Sequence, residues 1–217
     1  MSESIIIAET SKGNISGVTS ELVTASIALG KNPTVLVPCT DSSVAENAGY
    51  EGVAKTIAVK GSCFQNYDAA SWASAIDAAA PQGTIIVAAT PQSKDLAARI
   101  AARRGLSVVQ DVVEINGNNL TSPVYSGKAM QTVSISGDVV ISVRANVFSG
   151  SNPSTANVSV VDQSGDVATA VKEIMERASA RLDVSEANII VSGGRGMGDP
   201  SNFSHLERIA DVLGAAV

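Results

Sequence analysis

The sequence predicts an α/β fold: a mostly parallel sheet with helices on both faces, added antiparallel strands, and a second, shorter α/β unit behind it. Short, continuous apolar runs alternate with helix-period segments through the first half of the chain. Three Phe, three Tyr and one Trp among 217 residues leave Ala, Val, Ile and Leu to build the core, and such a core suits helices laid on parallel strands. A strand-like run, a glycine-rich turn and an amphipathic helix then recur together near the end of the sequence.

Residues 5–8, Ile-Ile-Ile-Ala, read as a buried parallel strand. Val18, Leu22, Ala25 and Leu29 recur at steps of four, three and four, one face of a helix that stops at Gly30. Val35 to Val37, enclosed by Pro33 and Pro38, form a second strand. A short helical stretch near 43–48 and a third strand over 56–59 follow. Trp72, Ala75, Ile76 and Ala79 mark a helical face, and residues 84–88 make a strong buried strand. Ser93 is the expected cap of the next helix, with Leu96, Ala97, Ile100 and Ala101 inward and Arg103 and Arg104 complementing its dipole before Gly105.

Beyond Gly105 the pattern turns to short extended segments near 108–115, 120–125, 131–135, 139–144 and 158–161, separated by Asn-Gly and Ser-Gly turn signals. They are expected as antiparallel or mixed strands added to the parallel sheet. Residues 149–156, rich in Ser, Asn and Pro, read as a flexible loop. Val167, Val171 and Met175 set a helix over 167–182, and 183–187 looks like a connector. The expected organisation is an N-terminal α/β domain over 1–182 and the start of a second domain over 183–217, in keeping with a length of roughly one and a half domains.

Composition removes several functions. With 45% hydrophobic and 17% charged residues, the chain can bury a core. Fifteen Lys plus Arg against 21 Asp plus Glu give a net charge of −6, and no dense basic stretch stands out, which speaks against nucleic-acid binding. No basic leader, long apolar leader or membrane-length run is present, so a cytoplasmic protein without membrane insertion is the expectation. Cys39 and Cys63 form no Cys-x-x-Cys pair and His205 is the only histidine, so no metal site is indicated. No Gly-x-Ser-x-Gly elbow occurs. Asp111 with Glu114 reads as solvated carboxylates, and Arg99, Arg103 and Arg104 as a helix-end charge cluster, with an acidic-partner docking surface as the lesser reading.

Chemistry concentrates after residues 188–191, Asn-Ile-Ile-Val. There the chain reads Ser192-Gly193-Gly194-Arg195-Gly196-Met197-Gly198, then Asp199 as N-cap and Pro200 as first helical residue. Phe203, Leu206, Ala210 and Leu213 give the following helix one apolar face. Glycines let backbone N–H groups approach an anion, the helix N-terminus favours negative charge, and Arg195 adds a fork of donors. Neither Gly-x-Gly-x-x-Gly nor the P-loop spacing is met. A tight turn with a solvated Arg195 stands beside the anion-binding reading. Only Ala215-Ala216-Val217 follow Gly214, where a βαβ unit would place its second strand, so the chain reads as a fragment of a longer protein.

Several stretches resemble the alpha subunit of electron-transfer flavoproteins: Ile7-Ala8-Glu9 with the helix through Glu21 and Leu22, residues 90–105, Pro123-Val124-Tyr125-Ser126-Gly127-Lys128-Ala129, and 139–148 around Arg144. The most specific is 191–217, where Ser-Gly-Gly-Arg-Gly, then Asn-Phe and a helix, looks like the opening of the family's flavin-binding domain. Ser93-Lys94 stands where the family usually shows Gly-Arg, Lys keeping the charge. The resemblance implies a first domain of nucleotide-binding-like topology without its own nucleotide, then a domain holding FAD. It implies an electron carrier rather than an enzyme, with no catalytic residues. Its partners would be a beta subunit, flavin dehydrogenases as donors, and a quinone reductase or similar acceptor. Ser192, Gly193, Gly194, Arg195 and Gly196 would contact FAD, with Arg195 favouring its reduced, anionic form. FAD is expected in the full-length protein and not in this chain alone. The alternatives are a stand-alone ligand-binding or regulatory α/β domain, and a nucleotide-activating enzyme using a phosphate loop over 13–17.

Overall fold

A computed structural model of the chain describes residues 2–11, 13–165, 182, 184 and 187–217. Two compact units divide it, Met1–Ala170 and Val171–Val217.

In chain order the first unit forms β1 (Glu3–Ile7), β2 (Thr10–Ser11), β3 (Asn14–Ile15), α1 (Val18–Ala28), β4 (Asn32–Cys39), β5 (Lys55–Lys60), α2 (Ala69–Ala79), β6 (Thr84–Ala88), α3 (Pro91–Arg104), β7 (Val108–Val112), β8 (Glu114–Asn116), β9 (Asn119–Val124), β10 (Ala129–Ser134), β11 (Val140–Val143) and β12 (Val158–Asp162). Seven strands make one sheet in the order β12-β5-β4-β1-β6-β11-β7, every neighbouring pair parallel. Both faces are covered, which is why its inner strands are unbroken apolar runs. Ile5, Ile7, Leu36, Ile57, Ile85 and Val87 pack against Trp72 and Ile76 of α2 and Leu96 and Ile100 of α3. Ile6, Ala8, Val35, Val37, Ala58 and Ile86 pack with Leu22, Val23 and Ala25 of α1. The two sets alternate along each strand, as a period of two requires. Each fully buried Ile, Leu or Val contributes about 1.5–3 kcal/mol.

The helices follow local rules. Asp68 caps α2, accepting from Ser71 N at 2.8 Å. Thr90 caps α3, accepting from Ser93 N at 3.1 Å, with Pro91 in the first turn. This corrects the expectation that Ser93 is the cap: Ser93 lies inside the helix, and proline's fixed φ places the boundary three residues earlier. The α1 helix ends at Leu29 with Gly30 at φ +69°, the left-handed exit its position announces. A 3₁₀ turn over Ser42–Ala48, capped by Asp41, fills the expected short helical stretch.

The second half differs from the sequence reading. Segments expected as antiparallel or mixed strands added to the parallel sheet divide in two: β7, β11 and β12 are parallel members of it, while β8, β9 and β10 form a separate antiparallel sheet. The run expected over 108–115 breaks at Val113, just past a register shift in the β7–β11 pairing, where Asp111 takes φ +56°. Residues 149–156 are not a loose loop. Ser154 N donates to Gly49 O at 2.9 Å, Glu51 N to Asn152 O at 2.9 Å, and Ser151 Oγ to Glu51 O at 2.8 Å. The helix expected over 167–182 and most of the connector over 183–187 lie outside the described residues.

In the second unit, residues 189–191 and Ala216 pair in parallel through Val191 N to Ala216 O, 2.9 Å, and Ala216 N to Ile189 O, 3.0 Å. The expected strand over 188–191 is therefore a single bridge, with one short partner. A helix, α4 (Phe203–Leu213), connects the paired segments and ends at Gly214, φ +61°.

Cys39 and Cys63 are free and buried. Burial, with Asp41 adding to it, pushes the Cys39 thiol up to about 11. An acid raised from 9 to about 11 on folding keeps its proton where the unfolded chain has lost it. Its contribution is neutral below pH 9, and stability falls as the pH rises from 9 to 11. Native chain should accordingly resist iodoacetamide at pH 8 at Cys39 and react once unfolded in urea; equal labelling of both would contradict this.

Candidate functional site

The sequence-predicted residues come together in one turn of the second unit. Ser192, Gly193 and Gly194 leave the paired segment, Arg195–Met197 form a 3₁₀ turn, and Gly198 takes φ +76° with a ψ of −82°, a conformation open to glycine. Asp199 then accepts from Ser201 N at 2.9 Å and from Ser201 Oγ at 2.6 Å. These bonds, the hydroxyl's first, hold its carboxyl below the ordinary value. The cap is where the sequence places it, but it starts a 3₁₀ turn over Pro200–Asn202, and α4 begins at Phe203. Asn202 Nδ2 reaches back to Met197 O at 2.7 Å, tying the turn to the helix entry.

The glycines do different work. A Cβ on Gly193 would lie 2.6 Å from Leu206 Cδ1 and 2.9 Å from Met197 Cγ, so Gly193 lets the turn pack onto α4. Cβ atoms on Gly194 and Gly196 would meet nothing within 4 Å among the described residues, which leave that side of the turn open. Arg195 between them is exposed, and no side chain among the described residues pairs with it. An exposed guanidinium flanked by two unobstructed glycines has both the donors and the backbone access that an anionic ligand needs.

On α4, Ala210 is buried and Phe203 and Leu206 are half-buried, while Leu213 of the same predicted face is 49% exposed. Ile209 and Val212 are exposed as well. His205 sits on the surface, its Nδ1 2.6 Å from Arg208 Nη2.

Other sequence candidates resolve into structural roles. Gly13, φ +76°, lies between β2 and β3, which pair as a hairpin, and Gly17 opens α1; residues 13–17 are not a strand-to-helix phosphate loop. Arg104 reaches α2, donating to Asp77 and to the carbonyls of Asp77, Ala80 and Pro81. Arg99 pairs with Asp95 at 3.0 Å on its own helix. Asp111 binds Lys94 at 2.7 Å, with Arg144 at 3.9 Å, while Glu114 stays exposed on β8. Sequence reasoning missed the Lys94–Asp111–Arg144 group, because its members meet only where β6, β7 and β11 end side by side. The positive charge retained at Lys94 was the one available signal. Among the described residues no group of His, Cys, Asp or Glu could hold a metal ion. No described helix is long and apolar enough to cross a membrane.

Comparison with known proteins places both units. The family described as Electron transfer flavoprotein domain matches residues 4–167, and the family described as Electron transfer flavoprotein FAD-binding domain matches 183–217. The chain is 31% identical to the electron transfer flavoprotein subunit alpha of Mycobacterium leprae, over 100% of its own length and 72% of the relative's. It is 30% identical to the Bacillus subtilis subunit alpha, over 98% of itself and 70% of that protein. Identity to the mitochondrial subunit alpha of Arabidopsis thaliana is 27%, over 98% of the chain and 65% of the relative.

Proposed function

The chain belongs to the electron transfer flavoprotein alpha-subunit family, and from that premise we propose that it carries electrons through FAD held partly by the Ser192–Gly196 turn and completed by a beta subunit. The observation that carries this reading is the open Gly194-Arg195-Gly196 turn, whose guanidinium has no partner among the described residues. The stand-alone binding-domain reading is not favoured, because the family matches cover both halves of the chain.

FAD, when bound, supplies the redox centre. The chain's part is to hold and tune it: backbone groups of Gly194 and Gly196 lie open to a ligand's oxygen atoms, and Arg195 sets a positive charge beside them. Residues 1–182 act as scaffold and docking body, and 183–217 open the cofactor domain. Flavin dehydrogenases are the proposed donors and a quinone reductase or similar acceptor the recipient, with the carrier in the cytoplasm and no substrate chemistry of its own.

An absorbance spectrum of the full-length protein purified with its beta subunit tests the reading directly; absence of the yellow flavin band from that complex would contradict it. Arg195→Ala should lower the flavin's reduction potential in the complex, because a guanidinium stabilises charge that develops on reduction, by about 1–3 kcal/mol at partly screened distances. Arg195→Lys should lose only part of it. Unchanged potentials in both variants would assign Arg195 to folding alone.

A further inference from the structure

The winding of the first unit reverses between β1 and β6. These strands are neighbours, yet the helix after β1 packs on one face of the sheet and the helix after β6 on the other. In open parallel sheets this is the place where ligands bind, with phosphate seated on a helix N-terminus. Here the position is already filled. Glu9, just past β1, puts Oε2 2.6 Å from Thr90 Oγ1 and 2.8 Å from Ser93 Oγ. Both hydroxyls donate to the carboxylate, and Thr90 Oγ1 in turn accepts from the α3 backbone at Ser93 N.

The surroundings also disfavour a second anion. Lys94, the cation of the first turn of α3, is committed to Asp111 at 2.7 Å. A cavity of about 320 Å³ opens beside the first turn at Gln92, reaching Thr10, Thr40 and Tyr67, and no Lys or Arg is among the described residues that line it. A phosphate on this helix start would meet the negative charge of Glu9, and the described residues that line the cavity offer it no Lys or Arg.

We infer that Glu9 is the resident anion of this crevice: its carboxylate occupies the place on α3 where sheets of this winding hold a ligand's phosphate, and so keeps a phosphate group from the start of α3. The hydrogen bonds are charge-assisted and the helix dipole favours them. The same contact joins the loop after β1 to the start of α3 across the switch point. A phosphate competes with a group already in place at the effective concentration of an intramolecular partner.

The test is thermal unfolding of the full chain, wild type against Glu9→Ala and Glu9→Gln, in inorganic phosphate at tens of millimolar and in chloride of matched ionic strength. Glu9→Ala should melt lower than wild type in chloride and recover part of that loss in phosphate. Wild type should show no phosphate-specific shift, and neither should Glu9→Gln, whose amide still fills the space. Equal phosphate shifts in wild type and Glu9→Ala, or none in Glu9→Ala, would overturn the inference, since a purely structural clasp loses stability without gaining an anion site. Should Glu9→Ala not fold, Glu9→Ser, which keeps a partner for the hydroxyls, takes the same titration with the same criterion.

Discussion

Gly49→Ala should lower the stability of the chain by about 3 kcal/mol, the upper end of the usual cost of overpacking, and its melting temperature by roughly 6–12 °C. A Cβ at this position would lie 2.1 Å from Ser154 O, 2.5 Å from Ala156 N and 2.8 Å from Thr155 C. All three are backbone atoms and cannot swing aside as a side-chain tip can. The segment over 151–156 would have to withdraw, giving up the bonds from Ser154 N to Gly49 O and from Glu51 N to Asn152 O. Gly17→Ala is the matched control: its Cβ meets nothing within 4 Å and its φ of −57° suits any residue. Equal melting temperatures for the two variants would show that the segment is not held where the structure places it.

Arg104→Ala should cost about 3–5 kcal/mol, the range for breaking a buried ion pair by removing one partner. The Arg104 side chain is 7% exposed. Its Nε meets Asp77 Oδ1, while its terminal nitrogens donate to Pro81 O at 2.8 Å, Ala80 O at 2.9 Å and Asp77 O at 3.2 Å. Those carbonyls lie at and just beyond the C-terminus of α2, where backbone acceptors lack helical partners and favour positive charge. Removing the guanidinium leaves a part-buried carboxylate, 23% exposed, and these acceptors without their donor. Arg99→Ala is the comparison, its pair with Asp95 being about half exposed on both sides and worth a few tenths of a kcal/mol. Urea midpoints measure both, and an Arg104→Ala loss no larger than that of Arg99→Ala would contradict the assignment. The double replacement Arg104→Leu with Asp77→Leu should recover part of the loss, because no charge is then left buried.

Where residues interact with near neighbours in the chain, the sequence was readable. Val18 to Leu29 shows a helical period, ends at a glycine, and folds as α1. Residues 84–88 are apolar without interruption and form β6 with the expected bounds. Asp199 and Pro200 mark the helix entry of the second unit, and Gly193 to Gly196 mark the turn, because capping and left-handed backbone are decided within a few residues. The family was legible for the same reason: its most specific signature is contiguous.

Pairing between distant segments was not readable. Residues 140–143 and 158–162 are short extended segments set between turn signals, as β9 and β10 are, and turn signals alone do not say that two of them insert or add to the parallel sheet while the others form a sheet of their own. That choice rests on which partners the whole sheet leaves open. The loop over 149–156 looks mobile by composition and is held by hydrogen bonds to residues 49–51, about a hundred positions away.

Arg104 reads from sequence as the complement of its own helix dipole, yet the packing of α2 beside α3 brings it to a neighbour's carbonyls. Glu9 reads as an ordinary acidic residue after a strand, and only the adjacency of β1 and β6 delivers it to Thr90 and Ser93. The period of apolar residues, the caps and the glycine turn follow from forces that act over one or two turns of chain. Strand order and long-range hydrogen bonds follow from closing loops of many residues, and that free energy is recovered only when the assembled sheet supplies the partner.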